Sequence, residues 1–292
     1  MKTINSESCS LIIVTFNSSH CIKSLAQAIS KFKNIIFVDN ASTDDTCQMI
    51  GDILPHAKLI KNSVNLGFGA ANNIALAETL APYTLLLNPD CLPKSDAIQN
   101  LLSAAEKFPD AAMYAPQLIG RDGNPELNYR WPSRNWKSSG PKAESSCCVG
   151  FICGAAILLN MKVMKEIGFF DETFFLYYED EDLCQRVFNK KKEIILIPNV
   201  EFTHFSRGSV KGSNPLKSEF IRGYHHAQSK IIFEAKHIGL DKANKLRFKT
   251  LFLAILTLPI RLLLPQPRYI ARLIGRIMGL CQIYQRPNLP IK

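Results

Sequence analysis

Short aliphatic runs alternate with helix-forming stretches over the first hundred residues, and this alternation constrains the fold more than any other feature. The runs are brief and rich in β-branched residues, as buried strands are. They lie at residues 10–15, 34–38, 58–61 and 83–87, with helical patterns at 22–32, 46–50, 70–79 and 97–107. Alternating strands and helices predict an α/β fold, with a mostly parallel sheet flanked by helices.

Polar residues follow three of the predicted strands. Asn17, Asp39 and Asp90 each stand within a few residues of a strand's carboxyl end. These ends meet at one edge of a parallel sheet, where such sheets bind ligands, so the three side chains predict one site. No G-x-G-x-x-G sequence follows the first strand, which argues against an oxidoreductase that binds a dinucleotide.

A second unusual stretch, residues 169–186, combines six acidic side chains with six aromatic rings. Carboxylates beside so much apolar surface are costly unless they are paired or used. One interpretation is a solvated, acidic start of a helix. The other, which the surrounding rings favour, is a segment that holds a catalytic base.

Residues 117–146 read as a loop-rich excursion between the two halves of the predicted sheet. They contain three glycines, three prolines and both tryptophans of the chain. Two interpretations stay open: a mobile surface loop, or a flap whose aromatic faces bind an acceptor, since long loops in compact domains are often functional.

The C-terminal region carries the positive charge. The net charge is +10, and residues 211–292 contain 15 Lys and Arg against 3 Asp and Glu, so the remainder is slightly acidic. Such a region suits an anionic partner, either a phospholipid surface or a nucleic acid. Its basic residues stand among aliphatic rather than stacking aromatic ones, which disfavours nucleic acid.

Residues 269–284 form the clearest candidate for binding a membrane surface. Arg268, Arg272 and Arg276 recur every four residues with apolar side chains on the other faces, as in a basic interfacial helix. The alternative is a helix packed on the rest of the protein, its arginines merely solvated. The uncharged stretch 250–260 is shorter than the ~20 residues that span a bilayer.

The cysteines and the N-terminus predict the compartment. Nine cysteines without a C-x-x-C pair favour reduced thiols in the cytosol over zinc ligands or disulfides. The apolar stretch 11–14 is too short for the core of a signal peptide. The sequence therefore predicts a cytoplasmic protein.

In order and spacing, several motifs resemble those of family 2 glycosyltransferases with the GT-A fold, of the bacterial rhamnosyltransferase-like branch. They lie at residues 14–17, 39–44, 65–72, 85–90 and 168–186 and end with His204. The resemblance implies a catalytic domain at 1–210, with a nucleotide-binding half at about 8–115 and an acceptor half at 116–210. Residues 211–292 would be a helical, membrane-associating extension.

The resemblance implies a nucleoside diphosphate sugar as donor, linked to UDP or dTDP. In the family, the aspartate after the second strand recognises the base, and the Asp39 carboxylate can accept an N–H of uracil or thymine. Glycine in the loop before the third helix lets the backbone approach the nucleotide. The implied nucleotide-binding residues are Thr15, Asn17, Asp39, Asn65, Gly67, Asn72 and Asn88.

A divalent cation, Mn²⁺ or Mg²⁺, is implied as cofactor. Asn88-Pro89-Asp90 stands where the family has an Asp-x-Asp motif, so Asp90 is the implied ligand and Asn88 an optional helper. His204 matches a histidine that completes this site in relatives, and imidazole beside carboxylate suits Mn²⁺ better than Mg²⁺. A second interpretation is that His204 caps a strand end. The cation would stabilise charge on the departing diphosphate.

The catalytic base implied by the resemblance is Asp180, the second residue of the Glu179-Asp180 pair. It would take the proton of an acceptor hydroxyl in one displacement that inverts the anomeric centre, so no enzyme nucleophile is needed. Glu179 and Asp182 would orient the acceptor or pair with Arg186. Because Asn88 departs from the family motif, a catalytically impaired nucleotide-sugar-binding or membrane-associated protein stays the alternative.

The combined expectation is an inverting, metal-dependent glycosyltransferase of bacterial surface polysaccharide synthesis. It would transfer a sugar, with rhamnose favoured by the resemblance alone, to a saccharide or lipid-linked acceptor near Tyr177 and Tyr178. The C-terminal region would hold it on an anionic membrane surface, peripheral on the inner face of the cell membrane.

Overall fold

The computed structural model describes residues 8–127, 129–130, 142–206, 208–210, 214–263 and 266–283. By backbone contacts the chain divides into two compact units. Unit 1 comprises Met1–Phe170 and Asp180–Lys211, and unit 2 comprises Asp171–Glu179 and Gly212–Lys292. The nine residues before the predicted base therefore group with the C-terminal helices. The domain bounds inferred from the sequence stay predictions.

Unit 1 contains eleven strands and six helices within the described residues. Its strands are β1 (Cys9–Thr15), β2 (Ile35–Asp39), β3 (Lys58–Lys61), β4 (Tyr83–Leu87), β5 (Cys91–Pro93), β6 (Met113–Ile119), β7 (Tyr129–Arg130), β8 (Cys147–Cys148), β9 (Phe151–Ile152), β10 (Ala156–Asn160) and β11 (Ile194–His204). Its helices are α1 (Ser19–Ile29), α2 (Thr46–Ile53), α3 (Phe68–Glu78), α4 (Ala97–Ala105), α5 (Met161–Ile167) and α6 (Glu179–Asn189).

The main sheet of unit 1 has the strand order β3-β2-β1-β4-β10-β6-β11-β5, with β8 paired to β11, and β7 pairs separately with β9. The first four strands along the chain are parallel, as predicted. Beyond β4 the sheet is mixed, because β10 runs antiparallel to both β4 and β6. The sheet is therefore parallel in its first half and mixed in its second, where β6 and β11 are again parallel.

Helices cover both faces of the sheet. Alternate residues of β1 point to opposite faces, so Ile13 packs with α1, α2 and α4, whereas Ile12 packs with α3, α5 and α6. Helix α1 buries residues at the spacing that predicts an amphipathic helix. These residues are Ile22, Leu25, Ala26 and Ile29.

Strand β6 is the main element that the sequence pattern does not predict. Pro116 and Gly120 make this stretch resemble the start of a loop, yet all seven strand residues are buried. Proline is tolerated here because the pairing of β6 with β11 shifts register just beyond it, between Ile197 and Glu201.

The predicted loop at residues 117–146 is only partly described. Its beginning completes β6 and then turns back, with an isolated bridge between Ile119 and Pro125. Residues 128 and 131–141, which include both tryptophans, lie outside the described residues, so both interpretations of the loop stay open.

Unit 2 contains α7 (Pro215–His237), α8 (Leu240–Leu262) and α9 (Pro267–Cys281). The side-chain oxygen of Asn214 caps α7 by accepting the backbone N–H groups of Leu216 and Lys217. Helices α7 and α9 meet through glycines: a Cβ atom added at Gly275 would lie 2.1 Å from the Phe220 carbonyl oxygen. The two backbones are therefore in direct contact.

Residues 171–179 pack within unit 2. Phe174 is fully buried in one cluster with Ile231 of α7. The Ser229 hydroxyl, also on α7, donates to the carbonyl oxygen of Leu176 at 2.9 Å. These contacts hold the aromatic part of the acidic stretch against the C-terminal helices.

Two tyrosines at the end of this segment have unusual backbones. Tyr177 and Tyr178 both have a φ of 68°, in the left-handed region that is costly for residues with side chains. Both rings meet His226 edge-on, with centroids 5.5 Å apart. Burial, followed by the arginine charges of α9, lowers the pKa of His226 to about 4, so its ring is neutral at physiological pH.

Within the described ranges, every helix is too short or too polar to cross a bilayer. Helix α9, the predicted interfacial helix, buries Gly275, Gly279 and Leu280, so one of its faces is occupied inside unit 2. The larger exposed apolar area lies on α8 and is called the α8 apolar surface below. It consists of Phe248, Phe252, Leu253, Ile255, Leu256, Ile260, Leu262 and Leu263.

Candidate active site

Thr15 and Asp39 stand side by side at the ends of β1 and β2, where the parallel register pairs them. Asp39 is almost wholly buried, and its Oδ1 accepts the Thr15 hydroxyl at 3.0 Å. Its Oδ2 accepts the Ser42 amide at 2.9 Å. These hydrogen bonds fix the orientation of the carboxylate at the sheet edge.

Asn17 lies in the turn after β1, with a left-handed φ of 50° that asparagine adopts more readily than most residues. Its Oδ1 accepts the Thr43 amide at 2.8 Å, and its own amide donates to Ser42 Oγ at 2.8 Å. The turn after β1 is thus fastened to the turn after β2, which brings Asn17 to the same edge as Asp39.

The loop before α3 is fixed to the end of β2. Asn65 Oδ1 accepts the Gly67 amide at 2.9 Å, and Gly67 has a φ of 90°, which favours glycine. The Asn40 side chain donates to the Gly67 carbonyl at 3.0 Å. Asn72, also predicted to bind nucleotide, is buried and donates to Phe68 O within its own helix.

Asp90 is buried directly before β5. Its Oδ2 accepts the Gly208 amide at 2.8 Å, whereas its Oδ1 is buried without a hydrogen-bond partner among the described residues. The pairing of β11 with β5 sets His204 opposite Cys91, and His204 Nε2 is 4.0 Å from Asp90 Oδ1. An orphaned carboxylate oxygen beside an imidazole nitrogen fits a divalent cation.

Such a cation would have few protein ligands. Nowhere in the described ranges do three or more His, Cys, Asp or Glu side chains converge on one metal position. Hard divalent ions commonly keep waters and substrate phosphates in their shell, so Asp90 with His204 suits a metal that binds together with a diphosphate.

Asp180 lies in the first turn of α6. Its Oδ2 accepts the Gly154 amide at 3.0 Å and its Oδ1 accepts the Glu181 amide at 2.9 Å. Burial, followed by the charge of Glu181, raises the pKa of the Asp180 carboxyl to about 6, against the lowering effect of the two amides and Arg130. Arg130 Nη2 itself pairs with Glu181 Oε1 at 2.5 Å. A carboxyl with a pKa near neutrality suits a general base.

One short backbone segment joins Asp180 to the metal motif. Gly154 donates its amide to Asp180, and the carbonyl of the next residue, Ala155, accepts the Asn88 amide at 2.9 Å. The predicted base and the predicted metal motif are therefore bound to two successive residues.

The charges of the same carboxylates act on the thiol of Cys153. Burial, followed by the charge of Asp180, raises the pKa of the Cys153 thiol to about 12, and Glu126 and Asp90 add to the rise. Charges shift a pKa in this way at short range. The pKa of Cys153 is therefore raised by the charges of both Asp180 and Asp90.

Asp182 is fully buried, and its Oδ2 accepts Arg186 Nε at 2.8 Å. Arg186 also donates to the carbonyl groups of residues 167–169. Pairing with Arg186 is one of the two roles that the sequence leaves open for Asp182, and its part in orienting the acceptor stays a prediction. Glu179, at the start of α6, is buried as well.

Three residues near the site are absent from the sequence-based prediction. Gly154 has a signal, because a glycine that interrupts a strand-like apolar run marks a close backbone approach. Arg130 and Glu126 have none, since their charged partners lie 51 and 78 residues away along the chain.

The sheet flanked by helices, with oriented polar turns at one of its edges, agrees with the GT-A fold of glycosyltransferases. The chain belongs to glycosyl transferase family 2, whose model matches residues 10–168. The resemblance predicted from the motifs is thereby confirmed, and the chain is a glycosyltransferase.

Two relatives are rhamnosyltransferases. The chain is 25% identical over 253 residues to N-acetylglucosaminyl-diphospho-decaprenol L-rhamnosyltransferase of Mycobacterium tuberculosis, covering 76% of this chain and 81% of the relative. It is 30% identical over 173 residues to the O-antigen chain rhamnosyltransferase RfbN of Salmonella typhimurium, covering 56% and 55%. The chain is therefore rhamnosyltransferase-like in sequence.

A solved structure confirms the predicted fold. A mannosyltransferase from Pyrobaculum calidifontis, in complex with GDP-Man and Mn²⁺, matches with a TM-score of 0.58 at 14% identity. The match covers 96% of this chain and 88% of the other. The roles of individual site residues stay predictions.

Proposed function

We propose that the protein is an inverting, metal-dependent glycosyltransferase of bacterial surface polysaccharide synthesis. It moves a hexosyl group, with rhamnose the first candidate, from a UDP- or dTDP-linked donor to a lipid-linked saccharide. The observation that carries the proposal is the segment Gly154 to Ala155, which binds Asp180 on one side and Asn88 on the other. This arrangement supports a reaction in which the attacking and departing oxygens meet at one anomeric carbon.

In the proposed displacement, an acceptor hydroxyl oxygen attacks the anomeric carbon while Asp180 accepts its proton. The bond from that carbon to the diphosphate oxygen breaks, and the nucleoside diphosphate departs with the electron pair. The anomeric configuration is inverted. The amides of Gly154 and Glu181 orient the Asp180 carboxylate for this transfer, so little of its freedom is lost at the transition state.

The donor would lie along the sheet edge. Asp39 would accept an N–H of the base, with Thr15 and Asn17 next to the nucleoside. Asp90 and His204 would hold the divalent cation, which would stabilise the negative charge that develops on the diphosphate. The bound Mn²⁺ of the Pyrobaculum calidifontis mannosyltransferase supports this choice of cofactor.

The relative in Mycobacterium tuberculosis supports the proposed class of acceptor. Its name specifies a saccharide joined through a diphosphate to decaprenol. We extend to this chain a saccharide carried on a polyprenyl diphosphate. Such an acceptor keeps its lipid in the bilayer, so the enzyme must work at a membrane surface.

Unit 2 offers a surface suited to that location. No acidic residue follows Asp241 in the sequence, whereas ten Lys and Arg do. The α8 apolar surface lies in this part of the chain, with exposures from 46% to 85%. Exposed apolar side chains among basic ones match an anionic bilayer, which would hold the enzyme on the inner face of the cell membrane.

The double variant Phe252→Glu with Leu256→Glu should lose at least about tenfold in affinity for vesicles containing phosphatidylglycerol. Burial of each side chain is worth roughly 1.5–3 kcal/mol, and the new carboxylates repel the lipid headgroups. Flotation with these vesicles measures the effect. Leu80→Glu is the matched control, since Leu80 is 96% exposed but lies in unit 1. Equal flotation of the wild type, the double variant and the Leu80→Glu control would contradict the proposed membrane-binding surface.

The pH dependence of kcat/KM for the acceptor should fall below about pH 6, where Asp180 becomes protonated and no longer accepts a proton. Arg130→Met removes a charge that lowers this pKa, so the acidic limb should move to higher pH. Glu181→Gln removes a charge that raises it, so the limb should move to lower pH. Shifts in the same direction, or none, would argue against Asp180 as the base.

Turnover with a panel of nucleotide sugars tests the function itself. We expect a product of inverted configuration from at least one UDP- or dTDP-sugar with Mn²⁺, a polyprenyl diphosphate saccharide as acceptor, and loss of the product with EDTA. The alternative is a catalytically impaired nucleotide-sugar-binding protein, suggested by Asn88. Calorimetric binding of UDP or dTDP without turnover of any donor would favour that alternative.

A further inference from the structure

We propose that Glu126 is a positioning residue that holds the His204 ring so that its Nε2 lone pair faces Asp90 Oδ1. The inference rests on the proposed metal dependence, and it assigns a role to a residue outside every sequence motif. Glu126 acts through His204 and contributes no ligand of its own.

Glu126, His204 and Asp90 lie in a row, which is called the Glu126–His204–Asp90 row below. Glu126 Oε2 lies 3.1 Å from His204 Nδ1, and the opposite ring nitrogen, Nε2, lies 4.0 Å from Asp90 Oδ1. An ionised carboxylate only accepts hydrogen bonds, so Nδ1 must carry the proton that it shares with Glu126. The Ser206 Oγ lies 3.2 Å from the same nitrogen, but its hydroxyl donates to Glu126 Oε1, so it too can accept from Nδ1. In the neutral ring this leaves Nε2 unprotonated, which is the form that binds a metal.

The Asp90 carboxylate, the second predicted metal ligand, also presents an oxygen to the metal position. Asp90 is 3% exposed, and its Oδ1 is buried with no hydrogen-bond partner among the described residues. A buried, unsatisfied carboxylate oxygen that faces a lone pair is repulsive unless a cation lies between the two. Carboxylate, imidazole and metal in this order are a recurring arrangement, in which the outer carboxylate fixes the tautomer and ring orientation.

Glu126 is itself held by its backbone. Its amide donates to Leu118 O at 2.8 Å, and its carbonyl accepts the Gln117 side chain at 2.8 Å. Its second carboxylate oxygen, Oε1, accepts the Ser206 hydroxyl at 3.3 Å. Gly120 leaves room for it, because a Cβ atom there would lie 3.3 Å from that oxygen. A residue fixed at this many points can orient a neighbour.

Glu126 and His204 are accessible to ligands. Glu126, His204 and Ser206 line an open cavity of about 380 Å³, together with Arg121 and Asp122. Asp122 is an acid in the same cavity whose described hydrogen bonds go to Asn124 rather than to His204. It therefore provides a charge-matched control for Glu126.

The experiment measures the His204 tautomer and Mn²⁺ binding in the full chain. In the metal-free protein, ¹⁵N NMR of the histidine rings, assigned with His204→Gln, should show an unprotonated Nε2 and a protonated Nδ1. Glu126→Ala should abolish this preference and weaken Mn²⁺ binding in the presence of UDP or dTDP by about 10- to 100-fold. Glu126→Gln, whose carbonyl can still accept from Nδ1, should lose less, and Asp122→Ala should change neither quantity.

Several outcomes would overturn the proposal. A wild-type ring protonated at Nε2 contradicts it, as does a Glu126→Ala protein with an unchanged tautomer. If Glu126→Ala and Asp122→Ala weaken Mn²⁺ binding equally, Glu126 contributes only its negative charge and does not position His204. Absence of Mn²⁺ binding in the wild-type protein would instead refute the proposed metal dependence, while the metal-free spectrum still decides the role of Glu126.

Discussion

Replacing Asp180 with Asn should lower turnover by about a thousandfold at pH 8, with little change in nucleotide binding. Asn has the same shape and can still accept an amide hydrogen bond, but it cannot take the acceptor's proton. Loss of a positioned general base typically costs 10²- to 10⁴-fold. Steady-state turnover measures the first effect, and calorimetric titration of UDP or dTDP with Mn²⁺ measures the second.

Glu181→Gln is the matched control for this variant. It removes the same charge one residue away, and pH 8 lies well above the pKa of about 6 for Asp180, so turnover should stay within about threefold of wild type. An Asp180→Asn enzyme that remains fully active would remove Asp180 from the mechanism. A loss of nucleotide binding would mean that the substitution disturbs the fold of the donor site.

Gly275→Ala should destabilise the helical unit by about 3 kcal/mol. The added Cβ would lie 2.1 Å from the Phe220 carbonyl oxygen, far inside any van der Waals contact, so α7 and α9 must move apart. Overpacking of this kind typically costs 1–3 kcal/mol, more than the gain of about 1 kcal/mol in helix propensity. Urea unfolding followed by circular dichroism at 222 nm measures the change.

Gly51→Ala, within α2, should have the opposite sign. A Cβ atom at Gly51 meets nothing within 4 Å, so alanine should add about 0.5–1 kcal/mol of stability. If both substitutions stabilise the protein, the close contact between α7 and α9 is not maintained in solution.

The first half of the fold could be predicted because its signals are local. Strands β3 and β4 match the predicted runs 58–61 and 83–87 residue for residue. Each apolar run is followed by residues that form turns or cap helices, so both strand and boundary are encoded within about ten residues. The donor-side residues follow from the same pattern, since parallel strand ends share one edge.

The second half depends on contacts that are distant in sequence. Pro116 makes β6 resemble a loop by local criteria, and the register shift beside it in β11 explains how the strand tolerates a proline. Likewise, Glu126 reaches His204 across 78 residues, and Arg130 reaches Glu181 across 51. No periodicity or capping signal reports such pairs, so they could be found only in three dimensions.

The grouping of residues 171–179 with the C-terminal helices determines where this chain can be truncated or joined to a related enzyme in a chimera. A cut near residue 210 would not separate the two compact units, because Phe174 and Leu176 of unit 2 find their partners on α7. Cutting the chain there would strip that segment of its packing immediately before Asp180. Gene fusions or chimeras that exchange the C-terminal helices must therefore exchange residues 171–179 with them.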